Sequence, residues 1–168
     1  VYTITLTVTN KDGGVGSSVY RYVVVYDPSA GFVTGGGWIN SQAGAYVADP
    51  SLAGKANFGF VSKYQKGATV PTGQTEFQFH VANFNFHSTT YQWLVISGAK
   101  AQYKGTGTVN GAGNYGFLLT ATDGQITGGG GVDKFRIKIW DKDKDDLIVY
   151  DNVPTAGDDI DLANPQAI

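Results

Sequence analysis

The sequence predicts an all-β protein, an antiparallel β-sandwich or barrel of about ten short strands. Three observations carry that expectation. The 168 residues include 24 glycines, three Trp, ten Tyr and nine Phe but a single Glu, Glu76, a composition that favours strands and tight turns over long helices. Apolar and polar residues alternate with period two, most cleanly in Lys134-Phe-Arg-Ile-Lys-Ile-Trp140. Turn dipeptides such as Asn110-Gly111 and Asp123-Gly124 punctuate the alternating runs at hairpin spacing. A chain of this length buries roughly two-thirds of its unfolded surface, which suits one core.

Taken in order, Tyr2, Ile4, Leu6 and Val8 alternate with threonines, and Ser17 to Tyr26 supplies a partner strand across Asn10-Lys-Asp-Gly-Gly14. These 26 residues read as a hairpin, and Asp27-Pro-Ser-Ala-Gly31 as a boundary turn. Phe32 to Ile39 reads as a strand that bends or bulges at Gly35-Gly-Gly37, followed by a loop over 41–54. Lys55 to Tyr64, Thr75 to Phe79 and Phe84 to Phe86 carry alternating aromatics. Tyr91 to Ser97 and Ala99 to Val109 form the next pair. Asn110-Gly111 signals a type I′ turn into Tyr115 to Thr122. Lys134 to Trp140 and Leu147 to Tyr150 close the body over 32–152, and residues 153–168 read as a polar tail.

Two stretches resemble known families. Residues 1–26, with Tyr2-Thr-Ile-Thr-Leu-Thr-Val-Thr9 and Asp12-Gly-Gly14, resemble the closing hairpin of a PKD domain, an immunoglobulin-like sandwich of surface and secreted proteins. Gly35-Gly-Gly-Trp-Ile39, Gly54-Lys-Ala-Asn-Phe-Gly-Phe60, Gly73-Gln-Thr-Glu-Phe77, Asn114-Tyr-Gly-Phe117 and Asp133-Lys-Phe-Arg-Ile-Lys-Ile-Trp140 are similar to the β-rich domain that follows PKD repeats in bacterial secreted proteins. The resemblance implies an extracellular setting, secreted or attached to the cell surface, within a larger polypeptide; any export signal is expected upstream of Val1. It implies no activity.

Composition excludes several function classes. The chain has neither Cys nor Met, so disulfides, thiol catalysis and cysteine-ligated metals are absent. A net charge of −2 with 15% charged residues leaves no electrostatic footprint for nucleic acid. No apolar run is long enough to insert in a membrane.

The densest polar cluster is Asp141-Lys-Asp-Lys-Asp-Asp146, followed by Asn152. Asp141, Asp143 and Asp145 match the alternate carboxylates of a calcium loop. Asp146 stands where that loop needs glycine, and Asn152 where it needs a bidentate Glu. A solvated hairpin turn is the competing reading. Asp158, Asp159 and Asp161 read as tail solvation or a weaker metal group. His80 and His87 sit in no nucleophile motif, and Glu76 has no evident carboxylate partner, so no residue is assigned a catalytic role. Trp38, Tyr46, Tyr91 and Trp93 lie near Asn40, Gln42 and Gln92, and are either core residues or a platform on which sugar rings stack. Trp140 and Phe58, Phe60, Phe77, Phe79 and Phe135 are expected in the core.

The expected function is a non-catalytic structural or adhesive module of a larger secreted or cell-surface protein, whose partners are neighbouring domains or identical subunits. The alternative is a carbohydrate-binding module accessory to a hydrolase, with polysaccharide as ligand. Calcium is the only cofactor considered. The hairpin must pack on the body or on a neighbour, because an uncovered apolar pair of strands is an aggregation hazard.

Overall fold

A computed structural model of the chain describes residues 2–23 and 31–168. The expected end of the second hairpin strand and most of the boundary turn, residues 24–30, lie outside the described residues. The protein is all-β. Among the described residues it has eleven strands and one 3₁₀ turn, His80–Ala82, and no helix long and apolar enough to cross a membrane.

Strands β1 (Tyr2–Thr9) and β2 (Val15–Val23) form the expected hairpin. Asn10 organises its turn, where Oδ1 accepts from the backbone N–H groups of Asp12 (3.0 Å) and Gly14 (2.7 Å). Ile4 lies opposite Tyr20, Leu6 opposite Ser18 and Val8 opposite Gly16, which gathers Ile4, Leu6, Val8 and Tyr20 on one face. The pair is a two-stranded sheet of its own.

The body is one antiparallel sheet that curls on itself. Its strands are β3 (Phe32–Ser41), β4 (Gly54–Lys63), β5 (Thr72–Phe79), β6 (Phe84–Ser97), β7 (Lys100–Val109), β8 (Ala112–Thr122), β9 (Lys134–Asp141) and β10 (Leu147–Asp151), each paired with the next in sequence. Such a meander needs only short turns. Asn110 and Gly111, with φ of 51° and 78°, make the β7–β8 turn at the positive angles a type I′ turn demands. The two aromatic runs expected as separate strands at 84–86 and 91–97 are one strand, β6, which continues through register shifts at Ser88/Thr90 and Tyr91/Trp93. Bulges of this kind let a long strand bend with the curl.

Closure comes from irregular pieces. Tyr46 bridges Tyr150, the Val47 N–H donates to the Val149 carbonyl (3.1 Å), and the Asp151 N–H to Ala45 (2.9 Å). Strand β11 (Gln166–Ala167) pairs with the start of β9 beside β10, and the Gln166 amide reaches the Asn40 carbonyl at 2.9 Å. The body therefore completes its own sheet. The hairpin is not a member of that sheet.

The interior is aromatic. Phe58 and Phe60 from β4, Phe77 and Phe79 from β5, Phe86 from β6, Tyr103 from β7, Phe117 from β8 and Tyr150 from β10 surround Phe135, Ile137 and Ile139 of β9. Phe135 stacks on Phe58 at 3.8 Å and on Phe77 at 6.3 Å, so rings from distant strands meet across the curl. Tyr150 meets Phe77, Phe79 and Phe84.

Residues 153–168 are not a solvated tail. They form a strap across the outer face of the second half of β6 and of β7 to β9, and Ile160 buries against Trp93, Val95, Leu118 and Trp140 as a second, smaller core. Arg136, on the outer side of β9, holds the strap. Its guanidinium pairs in a fork with Asp151 (2.9 and 2.7 Å), with both side chains 3% exposed. The same group donates to the carbonyls of Gly157 (2.6 Å), Ala156 (3.3 Å) and Ala163 (3.4 Å). Asp158, expected to solvate a tail, pairs with Lys138 at 2.7 Å. A buried ion pair of this type is costly to halve, because the partner left behind keeps its desolvation penalty. Arg136→Met is expected to destabilise the fold by about 3–5 kcal/mol in urea denaturation. Adding Asp151→Leu recovers part of that loss by removing the orphaned charge.

Candidate functional site

The four aromatics singled out from the sequence fall in four different environments. Tyr91 points into the interior, where its hydroxyl meets Thr75 Oγ1 at 2.8 Å and the same oxygen meets the Tyr103 hydroxyl at 2.8 Å. Ser88 completes this network by accepting from the Thr75 N–H (2.8 Å). Trp93 turns to the outer face and is covered by Ile160. Strict alternation would put Tyr91 and Trp93 on the same side; the register shift between them sends them to opposite sides. Tyr46 closes one end of the barrel, edge-on to Phe79 and Phe84. Tyr91 and Trp93 are buried, which matches the core alternative for them, and Tyr46 is partly buried against the same core. Trp38 alone is open, at 54% exposure on the outer face of β3.

The acidic turn between β9 and β10 is held by its own contacts. Asp141 is buried, accepts from the Asp143 N–H (3.0 Å) and pairs with Lys144 at 3.1 Å. Asp143 accepts from the Asn114 side chain at 3.2 Å. Asp145 and Asp146 adopt φ of 50° and 57°, so the residue in place of the calcium loop's glycine does turn left-handed. Asn152 lies elsewhere: Oδ1 accepts from the Ile137 N–H (2.8 Å), and Nδ2 donates to the Phe135 carbonyl (3.0 Å) and Gln166 Oε1 (3.2 Å). Its amide fills the gap between β10 and β11 on the edge of β9, as a strand backbone would. Asn152 is corrected from a ligand of the acidic turn to part of the sheet. Among the described residues no group of three or more His, Asp and Glu is arranged to hold a metal ion.

The histidines lie on the outer surface. His87 Nδ1 meets Glu76 Oε1 at 3.2 Å across β5 and β6, and His80 Nε2 meets the Asn57 amide at 3.0 Å.

Two surfaces remain for partners. One is the hairpin face, with Ile4, Leu6, Val8 and Tyr20 exposed by 52, 61, 58 and 70%. The other is the outer face of β3 to β6, where the register aligns Trp38, Asn57, Gln78 and Asn85 in one cross-strand row and Gly36, Gly59, Glu76 and His87 in the next. A third feature is a cleft of about 330 Å³ between the start of β3 and the 123–134 loop, where Lys100 pairs with Asp161 and Asp133 accepts from the Gly124 N–H.

Compared with protein-family models, curated proteins and solved structures, the chain matches none. Its function has to be read from these surfaces.

Burial raises the phenol pKa values of Tyr91, Tyr103 and Tyr150, most strongly the latter two, against the lowering effect of their hydrogen bonds. An unfolded tyrosine loses its proton near pH 10. The unfolded chain therefore releases protons first, and the stability carried by these neutral phenols, complete below about pH 10, is lost as pH rises beyond it. Phenolate absorbance is expected to lag in the folded protein and to jump on alkaline unfolding. Asn152→Ala is expected to cost about 1–3 kcal/mol through the unpaired Ile137 N–H and Phe135 carbonyl. That loss is equal in calcium and in chelator if the residue serves only the sheet.

Proposed function

We propose that this chain is a non-catalytic structural or adhesive module of a larger secreted or cell-surface polypeptide, joined to its neighbour through the β1–β2 hairpin. The observation that carries this reading is the uncovered apolar face of that hairpin. A two-stranded sheet alone is at best marginally stable in water, and an open edge with exposed aliphatics invites strand addition. Ile4, Leu6, Val8 and Tyr20 are therefore the contact residues, and the occupant is a β-surface of an adjacent domain or of an identical subunit. The resemblance of residues 1–26 to the closing hairpin of a PKD sandwich supports the same assignment, as it does the extracellular setting. The engagement of the buried Arg136, Asp151 and Asn152 in holding the strap and the sheet edge supports a structural rather than a catalytic use of the polar core.

Sedimentation velocity and amide hydrogen exchange test this together. Self-association that grows with concentration, and that falls about tenfold in Leu6→Lys/Val8→Lys with no change in Tm, points to identical subunits. A monomer whose hairpin amides exchange freely points to a neighbouring domain as the missing cover. A monomer whose β1 and β2 amides are as protected as those of β9 would sink the proposal, because the hairpin would then need no partner.

A further inference from the structure

The sheet contains two kinds of glycine. Most are forced by packing: a Cβ on Gly35 would come within 2.7 Å of the Phe60 ring, on Gly105 within 2.7 Å of Phe117, on Gly107 within 2.5 Å of Phe86, and on Gly116 within 2.3 Å of Trp140. Gly36 and Gly59 are different. They are direct cross-strand partners on the outer face of β3 and β4. A Cβ on Gly59 would meet nothing within 4 Å, and one on Gly36 nothing closer than 3.5 Å. Neither has positive φ. Packing does not require glycine at either position; glycine in a strand interior weakens the strand and often marks a bulge, a tight bend or a close approach to the backbone, and the β3–β4 register runs through this pair without a shift.

What surrounds this bare pair is chemically specific. Trp38 adjoins it along β3, more than half exposed, with Lys55 Nζ at 5.0 Å from its ring centre. Asn57 and Gln78 continue the tryptophan's row across β4 and β5. Glu76 and His87 continue the glycine row and end the shelf with their hydrogen-bonded pair. At about 4.8 Å between strands, the two rows run roughly 14 Å from β3 to β6. The result is a flat backbone floor with one aromatic ring and several side-chain amides at its side and a carboxylate at its end.

We infer that this face is a binding site for a neutral polysaccharide chain. A pyranose ring offers an apolar C–H face to stack on an indole and a girdle of hydroxyls that both donate and accept. Trp38 takes the first. The amides of Asn57 and Gln78, the carboxylate of Glu76 and the ammonium of Lys55 take the second. The missing side chains of Gly36 and Gly59 let the ring lie close to the sheet. The shelf has carboxylate and ammonium on opposite sides, which favours a neutral chain over an acidic one. This inference does not depend on the hairpin, which lies on a separate sheet.

The test is affinity electrophoresis of the whole chain through gels containing soluble β-glucan, xylan or galactomannan, with acidic pectin as contrast. Retardation by at least one neutral polysaccharide is expected. Trp38→Ala and Gly59→Val are each expected to weaken it by about tenfold or more. Gly59→Val is expected to leave Tm unchanged or raised, because a Cβ at Gly59 meets nothing within 4 Å and valine suits a strand. That separates a filled shelf from a damaged fold. Binding to none of the neutral polysaccharides, binding to pectin alone, or neutral binding that survives both substitutions would each overturn the inference.

Discussion

Everything in this body follows from the need to enclose one set of rings. Phe58, Phe60, Phe77, Phe79, Phe86, Tyr103, Phe117 and Phe135 all project from the same face of a single sheet. A flat sheet would leave that face in water, and burial of large aromatic side chains contributes most of the driving force available to a chain of this size. The sheet curls until β4 meets β9, and the 3.8 Å stacking of Phe58 on Phe135 marks where its two halves touch. The bulges in β6, the β7–β8 turn and the glycines under Phe86, Phe117 and Trp140 are the local accommodations of that curl.

Curling hides one face and leaves the other to be managed. Over the second half of β6 and over β7 to β9 the strap manages it: Arg136 gathers Asp151 and three strap carbonyls, and Ile160 seals Trp93 and Trp140. Over β3 to β5 and the start of β6 no strap is laid among the described residues, and the face is built from Trp38, amides, a cross-strand His–Glu pair and two unneeded glycines. The division of one outer surface into a sealed half and an open half is the basis for placing ligand contact on β3 to β6. The hairpin is a two-stranded sheet of its own, and its aliphatics Ile4, Leu6 and Val8 are exposed.

The all-β class, the antiparallel hairpin pairing and much of the core could be read along the chain, because period-two alternation and turn dipeptides are local properties; the order of the strands came from the fold. Lys134 to Trp140 alternates so strictly that its inward residues follow directly. The strap was not legible. Asp158, Asp159 and Asp161 have the composition of solvated chain, and only contacts from other strands, the buried guanidinium of Arg136, the ammonium groups of Lys138 and Lys100 and the apolar cover over Ile160, make that segment ordered structure. Asn152 likewise looked like a last ligand of the acidic turn, and its true partners are backbone groups of another strand.

Sequence by itself determined that this protein is all-β with an aromatic core and an N-terminal apolar hairpin, because alternation and turn chemistry act over neighbouring residues. Tertiary structure alone decided the strand order and which aromatics are buried. Tyr91 and Trp93 sit two residues apart, yet a shift of register sends one into the core and the other under the strap, while Trp38 stays open. A strand's alternation says that two faces exist; only the closure of the sheet and the path of the strap say which of them meets water.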